Sequence, residues 1–231
     1  MLRWVLISFL AVQALPASAS PWGRADDQFY TRVAVSRFTV EGLDGLRSDT
    51  YGEYGLNNDW TVTLKYERVD FEEFSEFSSD GVRATLRRSF SLTPSVVASL
   101  EGGMLRGAAI GGAAGCETLG AEMRAGVGQS LQLGEKRKRD IFWFAEGAVR
   151  AHDDGCLRRR LELGYGERLT RNIWLISQAW FDVGTTNAAS SKYQLEYLWR
   201  AGALDISAGT LLEFGGEFEE NAFFIALARR F

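Results

Sequence analysis

Apolar and polar residues alternate with a period of two along most of this chain. In "LRRRLELGYGERL" (157–169), Leu157, Leu161, Leu163, Tyr165 and Leu169 take one face. Arg158, Arg160, Glu162, Gly164, Gly166 and Arg168 take the other. After the short "TRN", Ile173, Leu175, Ala179, Phe181 and Val183 share a face, with Gln178 and Asp182 opposite. "KYQLEYLWR" sets Tyr193, Leu195, Tyr197 and Trp199 against Lys192, Gln194, Glu196 and Arg200. Successive side chains of a strand point to opposite faces, so sustained alternation predicts strands rather than helices.

About twelve such segments can be traced, near 29–40, 49–56, 60–72, 81–92, 96–107, 118–132, 141–152, 157–169, 173–184, 191–201, 204–215 and 220–231. Their connections alternate in kind. "NND" (57–59), "TPS" (93–95), "TRN" (170–172) and the stretch around Gly202 are tight polar turns. Longer connections occupy 72–80, 108–118 and 185–191, and "GEKRKRD" (134–140) is a longer linker on the short-turn side. Short turns at one end and longer loops at the other predict a closed, antiparallel, up-and-down transmembrane β-barrel, all-β, of about twelve strands. In lipid every backbone N–H and C=O must be paired within the protein, and a closed barrel does this without a free edge. The apolar faces then point out and the polar faces point in.

The chain begins "MLRWVLISFLAVQALPASAS": a basic Arg3, an apolar run from Trp4 to Leu15, and an Ala17-Ser18-Ala19 cleavage site. This predicts a signal peptide over 1–19, and the apolar run is short of the ~20 residues of a spanning helix. The organisation expected is therefore a leader at 1–19, a periplasmic segment at 20–28 and a barrel over 29–231. Three prolines, 25 glycines and 13% aromatics suit a chain made of strands, and the net charge of −4 argues against a nucleic-acid partner.

The last strand, "NAFFIALARRF", puts Ala222, Phe224, Ala226 and Ala228 on one face and Phe223, Ile225, Leu227 and Phe231 on the other. A strand ending on a bare Phe resembles the insertion signal of bacterial outer-membrane β-barrel proteins. Arg229 stands where such signals usually carry an aromatic or apolar residue. The hairpin "YGEYGLNNDWTVTLKY" is similar to hairpins in uncharacterised proteobacterial barrels and porin-like proteins, including those grouped with aromatic-degradation operons. The resemblance implies an outer-membrane location in a Gram-negative bacterium. It also implies outer-membrane lipid and the barrel-insertion machinery as partners, with Phe223, Ile225, Leu227 and Phe231 as the residues read.

The face opposite the apolar one carries both signs of charge. The candidate pore-lining residues are Arg83, Arg87, Arg150, Arg158, Arg160, Glu146, Glu162, Arg168, Glu196 and Arg200, and the same register adds Lys65, Glu67, Glu101, Glu122 and Arg124. Two readings stay open. Near-balanced charges can pair into a lattice that fills the barrel, since buried charges persist only when paired. They can instead wall a water-filled channel that selects solutes. Arg83, Arg87, Arg150, Arg158 and Arg160 form a lopsided basic subset, and arginine recognises carboxylates with a planar fork. A basic track of this kind suits acidic solutes, as in acidic-oligosaccharide channels of similar size.

Enzyme chemistry finds little support. The chain has one histidine, His152, read as a solvated rim residue, and Ser99, Ser177 and Ser191 lie in no nucleophile motif. No metal-ligand cluster or phosphate loop is present in the sequence, so no cofactor or metal is expected. A monomeric barrel is expected, either a passive channel or a sealed structural or surface-interaction barrel, with a lipid-modifying enzyme third. Cys116 and Cys156 both fall in loop-side connections and predict a disulfide. Tyr54, Trp60, Tyr165 and Trp199, close to the short turns, predict an aromatic girdle level with Phe231.

Overall fold

The computed structural model describes residues 21–57, 59–73, 75–107, 116–134, 139–185, 189–215 and 219–231; the expected leader, 1–19, lies outside them. Twelve strands follow in order: β1 (Phe29–Val40), β2 (Leu43–Gly55), β3 (Trp60–Phe71), β4 (Ser79–Ser91), β5 (Val96–Arg106), β6 (Gly120–Leu133), β7 (Arg139–His152), β8 (Leu157–Arg168), β9 (Ile173–Gly184), β10 (Ser190–Ala201), β11 (Leu204–Phe214) and β12 (Glu220–Arg230). Each pairs with its sequence neighbours, and β12 returns to β1 from Tyr30↔Arg230 to Val40↔Glu220. The result is a closed antiparallel barrel.

Most strands fall within one or two residues of the predicted segments, but β2 begins at Leu43, six residues before the expected 49. The β1–β2 connection is a two-residue turn, with Glu41 at φ 48° and Gly42 at φ 81°. Two left-handed residues make the turn type whose twist matches a hairpin. The stretch after it, "LDGLRSDT", is polar on both faces. It therefore lacks the alternation by which strands were recognised.

Both ends of the barrel chain, Phe29 and Phe231, lie at the short-turn end, with ring centroids 5.7 Å apart. Three turns there share one device. Asn57 Oδ1 accepts from the Asp59 and Trp60 amides at 3.0 Å each; Thr93 Oγ1 accepts from the Val96 amide at 3.0 Å and Thr170 Oγ1 from the Ile173 amide at 3.2 Å. A short polar side chain that bonds the backbone two or three residues on closes a turn without further residues. The opposite end carries the longer connections apart from the two-residue β1–β2 turn, which departs there from the expected alternation of turns and loops, and we call it the loop end.

The facing follows the alternation. Leu161, Leu163, Leu195 and Tyr197 are exposed and Phe181 lies on the same outer surface beside Tyr193, whereas Arg160, Glu162, Gln178 and Glu196 point inward. On β12, Phe223, Ile225 and Leu227 are each more than half exposed while Ala222, Phe224, Ala226 and Ala228 are buried. Tyr54, Trp60, Tyr165 and Trp199 sit on the outer surface of strand ends at the short-turn end, as a girdle requires. Arg229 lays its guanidinium 4.5 Å from the Phe231 ring centroid. This cation–π contact gives the charge a partner at the lip.

At the loop end, Cys116 and Cys156 form the expected disulfide, with Cα atoms 5.6 Å apart. His152 corrects the reading of a solvated rim residue. It is buried, and its Nδ1–H donates to the Thr118 carbonyl at 3.0 Å. Residues 21–25, assigned to the periplasmic segment, lie within the barrel mouth: Trp22 packs on Phe142 and Phe144, and Arg24 is buried.

Candidate functional site

The inward face of the barrel is divided into two unlike regions. Near the short-turn end it is filled. Phe142 and Phe144 on β7, Trp174 and Ile176 on β9, and Leu198 on β10 form an apolar cluster inside the lumen. These residues were missed in sequence, although they are in phase with Glu146 and Arg150 on β7, Gln178 and Asp182 on β9 and Glu196 on β10, which marked the inward face. A large inward ring needs space on the neighbouring strand. Phe142 stands opposite Gly166 and Phe144 opposite Gly164, where an added Cβ would come within 2.1 Å and 2.0 Å of the rings. Phe38 over Gly45 and Phe224 over Gly209 repeat the arrangement. Many glycines of the polar faces are therefore seats for aromatic rings.

Beside the apolar cluster runs a closed ion-pair chain. Arg87 Nε donates to Glu101 at 2.8 Å and its Nη1 to Glu53 at 3.0 Å. Glu53 also accepts from Tyr51 Oη and from Arg24 Nε, each at 2.5 Å, and Glu101 accepts from Thr85 Oγ1 at 2.5 Å. Every carboxylate has several donors, which is the condition for keeping charge in a dry interior.

Toward the loop end the lumen is hollow, with a cavity of about 140 Å³. Eight cations line it (Arg32, Arg47, Lys65, Arg83, Arg124, Arg150, Arg160 and Lys192) against three carboxylates, Asp49, Glu67 and Glu162. Carboxylates behind the lining, together with Glu162 of the lining itself, hold these cations. Glu122 receives Arg83 at 2.9 Å and also Arg150; Glu146 and Glu162 receive Arg124 at 2.8 and 2.9 Å. Asp182 receives Arg160 at 2.6 Å, Glu213 receives Lys192 at 2.6 Å, and Glu220 receives Arg47 at 2.6 Å. The carboxylates Glu122, Asp182, Glu213 and Glu220 are not part of the lining, so the surface offered to a solute is basic. Arg83 Nε, Arg124 Nε and Arg150 Nη1 are buried donors without a hydrogen-bond partner among the described residues. Water or an anion in the cavity can accept from them.

Of the ten expected pore-lining residues, Arg83, Arg150, Arg160 and Glu162 line the cavity. Arg87, Glu146, Arg158 and Glu196 point inward but are buried in the ion-pair network. Arg168 and Arg200 lie at the short-turn end, partly exposed, beside Asp140 and Asp205. Arg32 and Arg47, outside the expected set, complete the basic lining. Their signal was the phase of Ala34, Ser36 and Phe38 along β1, read across the β1–β2 turn. Among the described residues no group of three or more His, Cys, Asp or Glu is arranged to hold a metal ion.

No family model matches this chain, and no curated protein does. Solved structures do. An outer-membrane channel from Pseudomonas putida superposes with a TM-score of 0.59 at 9% identity, covering 94% of this chain and 100% of that one. The fold is that of a bacterial outer-membrane β-barrel. The NanC porin gives the same TM-score, 0.59, at 9% identity over 85% of this chain and 98% of its own. The KdgM porin, solved in complex with disordered oligogalacturonate, gives 0.53 at 6% identity over 86% and 98%. Identities this low carry the fold. With an exterior of Leu, Val, Ile and aromatic side chains around a charged interior, the barrel belongs in the outer membrane of a Gram-negative bacterium.

Proposed function

We propose that the protein is a monomeric passive channel that admits small acidic solutes from the loop end. The observation that carries this reading is the hollow basic half of the lumen, with eight cations against three carboxylates on its surface. Low-dielectric walls focus the field of such a lining and raise the local concentration of anions. Paired arginines with donors left over can take a carboxylate in passing without being rebuilt around it. The porin bound to oligogalacturonate, a polyanion, has the same fold and is in line with this reading.

The test is planar-bilayer recording with the purified full chain across a salt gradient. Stepwise currents with a reversal potential on the anion side are expected. Replacing Arg83 and Arg150 by Gln should move the reversal potential toward the cation side. Cation selectivity in the unmodified protein, unaffected by these changes, would overturn the proposal.

A second reading, a sealed barrel with a structural or surface-interaction role, is favoured by one feature: the filled short-turn end. It predicts no current under any of these conditions. A hydrolytic role has no such support. His152 is bonded to a backbone carbonyl and Ser177 faces outward, which is not the geometry of a nucleophile and its base.

A further inference from the structure

The five residues Pro21–Ala25 belong to no strand, yet they lie inside the barrel and reach from one wall to another. On the β2–β4 side, Ser89 Oγ donates to the Pro21 carbonyl at 2.9 Å, Arg87 Nη1 to the Trp22 carbonyl at 3.3 Å, and the Arg24 amide to Thr61 Oγ1 at 2.8 Å. On the β7 side, the Trp22 indole meets Phe142 and Phe144 edge-on, with centroids 5.9 and 6.4 Å away. The socket is shaped for this segment. A Cβ at Gly128 would come 2.6 Å from the Trp22 ring and 2.7 Å from Pro21, and one at Gly55 would come 2.0 Å from the Ala25 carbonyl oxygen.

We propose that Pro21–Ala25 is a displaceable plug that closes the short-turn end of the lumen, and that passage requires it to leave. The proposal rests on the channel reading. Its geometry favours reversible departure. Among the described residues every polar attachment of Pro21, Trp22 and Arg24 is to a side chain of the wall, and none is a rung of the β-ladder. The wall also keeps its own partners when the segment goes. Arg87 retains Glu101 at 2.8 Å and Glu53 at 3.0 Å, and Glu53 retains Tyr51 at 2.5 Å. Glu53 gives up its ion pair with Arg24 at 2.5 Å but keeps Arg87 and Tyr51, so it is not left without a donor. Arg24 passes into water, and water can replace the bonds to Ser89 and Thr61. The apolar cost is that of exposing one indole and the ring edges beneath it.

The experiment uses the full chain with its native disulfide and a reporter thiol, Ile176→Cys, placed in the cluster under the plug. Two variants displace the plug independently. One replaces residues 21–25 by Gly-Ser-Gly-Ser-Gly, and the other is Gly128→Ala, which crowds the seat of Trp22 without altering the segment. Folding is checked by the heat-dependent mobility shift of the barrel on gels. Bilayer conductance and the rate of reporter modification by a small charged thiol reagent are then measured. Both should rise in a folded variant, the modification rate by about tenfold, as for a site released from local protection. No current in any protein, with faster modification in the variants, would sink the channel reading and leave the plug standing. An unchanged modification rate in folded variants overturns the plug. Faster modification with unchanged conductance in a conducting protein overturns its role in passage.

Discussion

The two halves of the lumen are built from the same strands with the same alternation, yet one is filled and the other hollow. At the short-turn end the inward positions hold Phe142, Phe144, Trp174, Ile176 and Leu198, and Arg87 is wholly buried between Glu53 and Glu101. Toward the loop end the inward positions hold Arg32, Arg47, Lys65, Arg83 and Arg150 around open space. Charge alone does not distinguish them, since both contain arginine–carboxylate networks. Inward rings alone do not distinguish them either, since Phe38 packs with Val69 and Ala222 at the loop end and Phe224 lines the cavity. What differs is that the Trp22 segment and the cluster beneath it occupy the space between the walls at the short-turn end. A charged inward face is therefore compatible with a packed interior and with a channel, and the packing of large apolar groups decides which one results.

This contrast can be broken most severely at Arg87. Arg87→Ala leaves Glu53 and Glu101 short of a donor in the dry half and should cost about 3–5 kcal/mol, the range for breaking a buried pair by removing one partner. Arg150→Ala, in the hollow half, should cost only about 1 kcal/mol, because Glu122 keeps Arg83 and Arg124 and water can enter. Urea unfolding in lipid vesicles measures both; equal costs would erase the distinction between the halves.

The next effect concerns the outer face, which the two halves share. Leu163 lies midway along β8 and is exposed to lipid. Leu163→Lys should cost about 2–4 kcal/mol at the bilayer midplane. A neutral result in the same unfolding assay would count against the facing of every strand. The tether at the loop end comes third. Cys116 and Cys156 are 40 residues apart, and replacing both by Ser should lower stability by about 2–4 kcal/mol with little change in conductance if the hollow half is already open. A large rise in current would assign the bridge a role in narrowing the mouth.

The smallest effect separates seats from spacers among the glycines. Gly164→Ala places a Cβ against the Phe144 ring and should cost about 1–3 kcal/mol through overpacking. Gly147, on the outer face, has nothing within 4 Å of its added Cβ, so Gly147→Ala should be neutral or slightly stabilising. Indistinguishable values would remove the packing account of the filled half.

The amino-acid pattern determined a great deal by itself. Alternation along 157–169 and 191–201 settles which side chains meet lipid, because a one-residue slip would exchange the two faces completely. Asn57, Thr93 and Thr170 mark short turns through local chemistry that needs no distant partner. The disulfide was legible because both cysteines fall in loop-end connections of the predicted topology. Where local signals were weak, reading failed. The first half of β2 is polar on both faces and was missed until its pairing with β1 was known.

Only the tertiary structure decided what the interior does. An inward Phe and the Gly that seats it lie on different strands, as with Phe144 and Gly164, so their match is invisible along either strand alone. Which carboxylates stand behind the wall and which face the cavity depends on closure of the whole barrel, since Glu122 gathers Arg83 from β4, Arg124 from its own strand and Arg150 from β7. The position of Trp22 depends on it most. A short segment before the first strand has no period to read, and its place in the lumen is set by space that twelve strands enclose together.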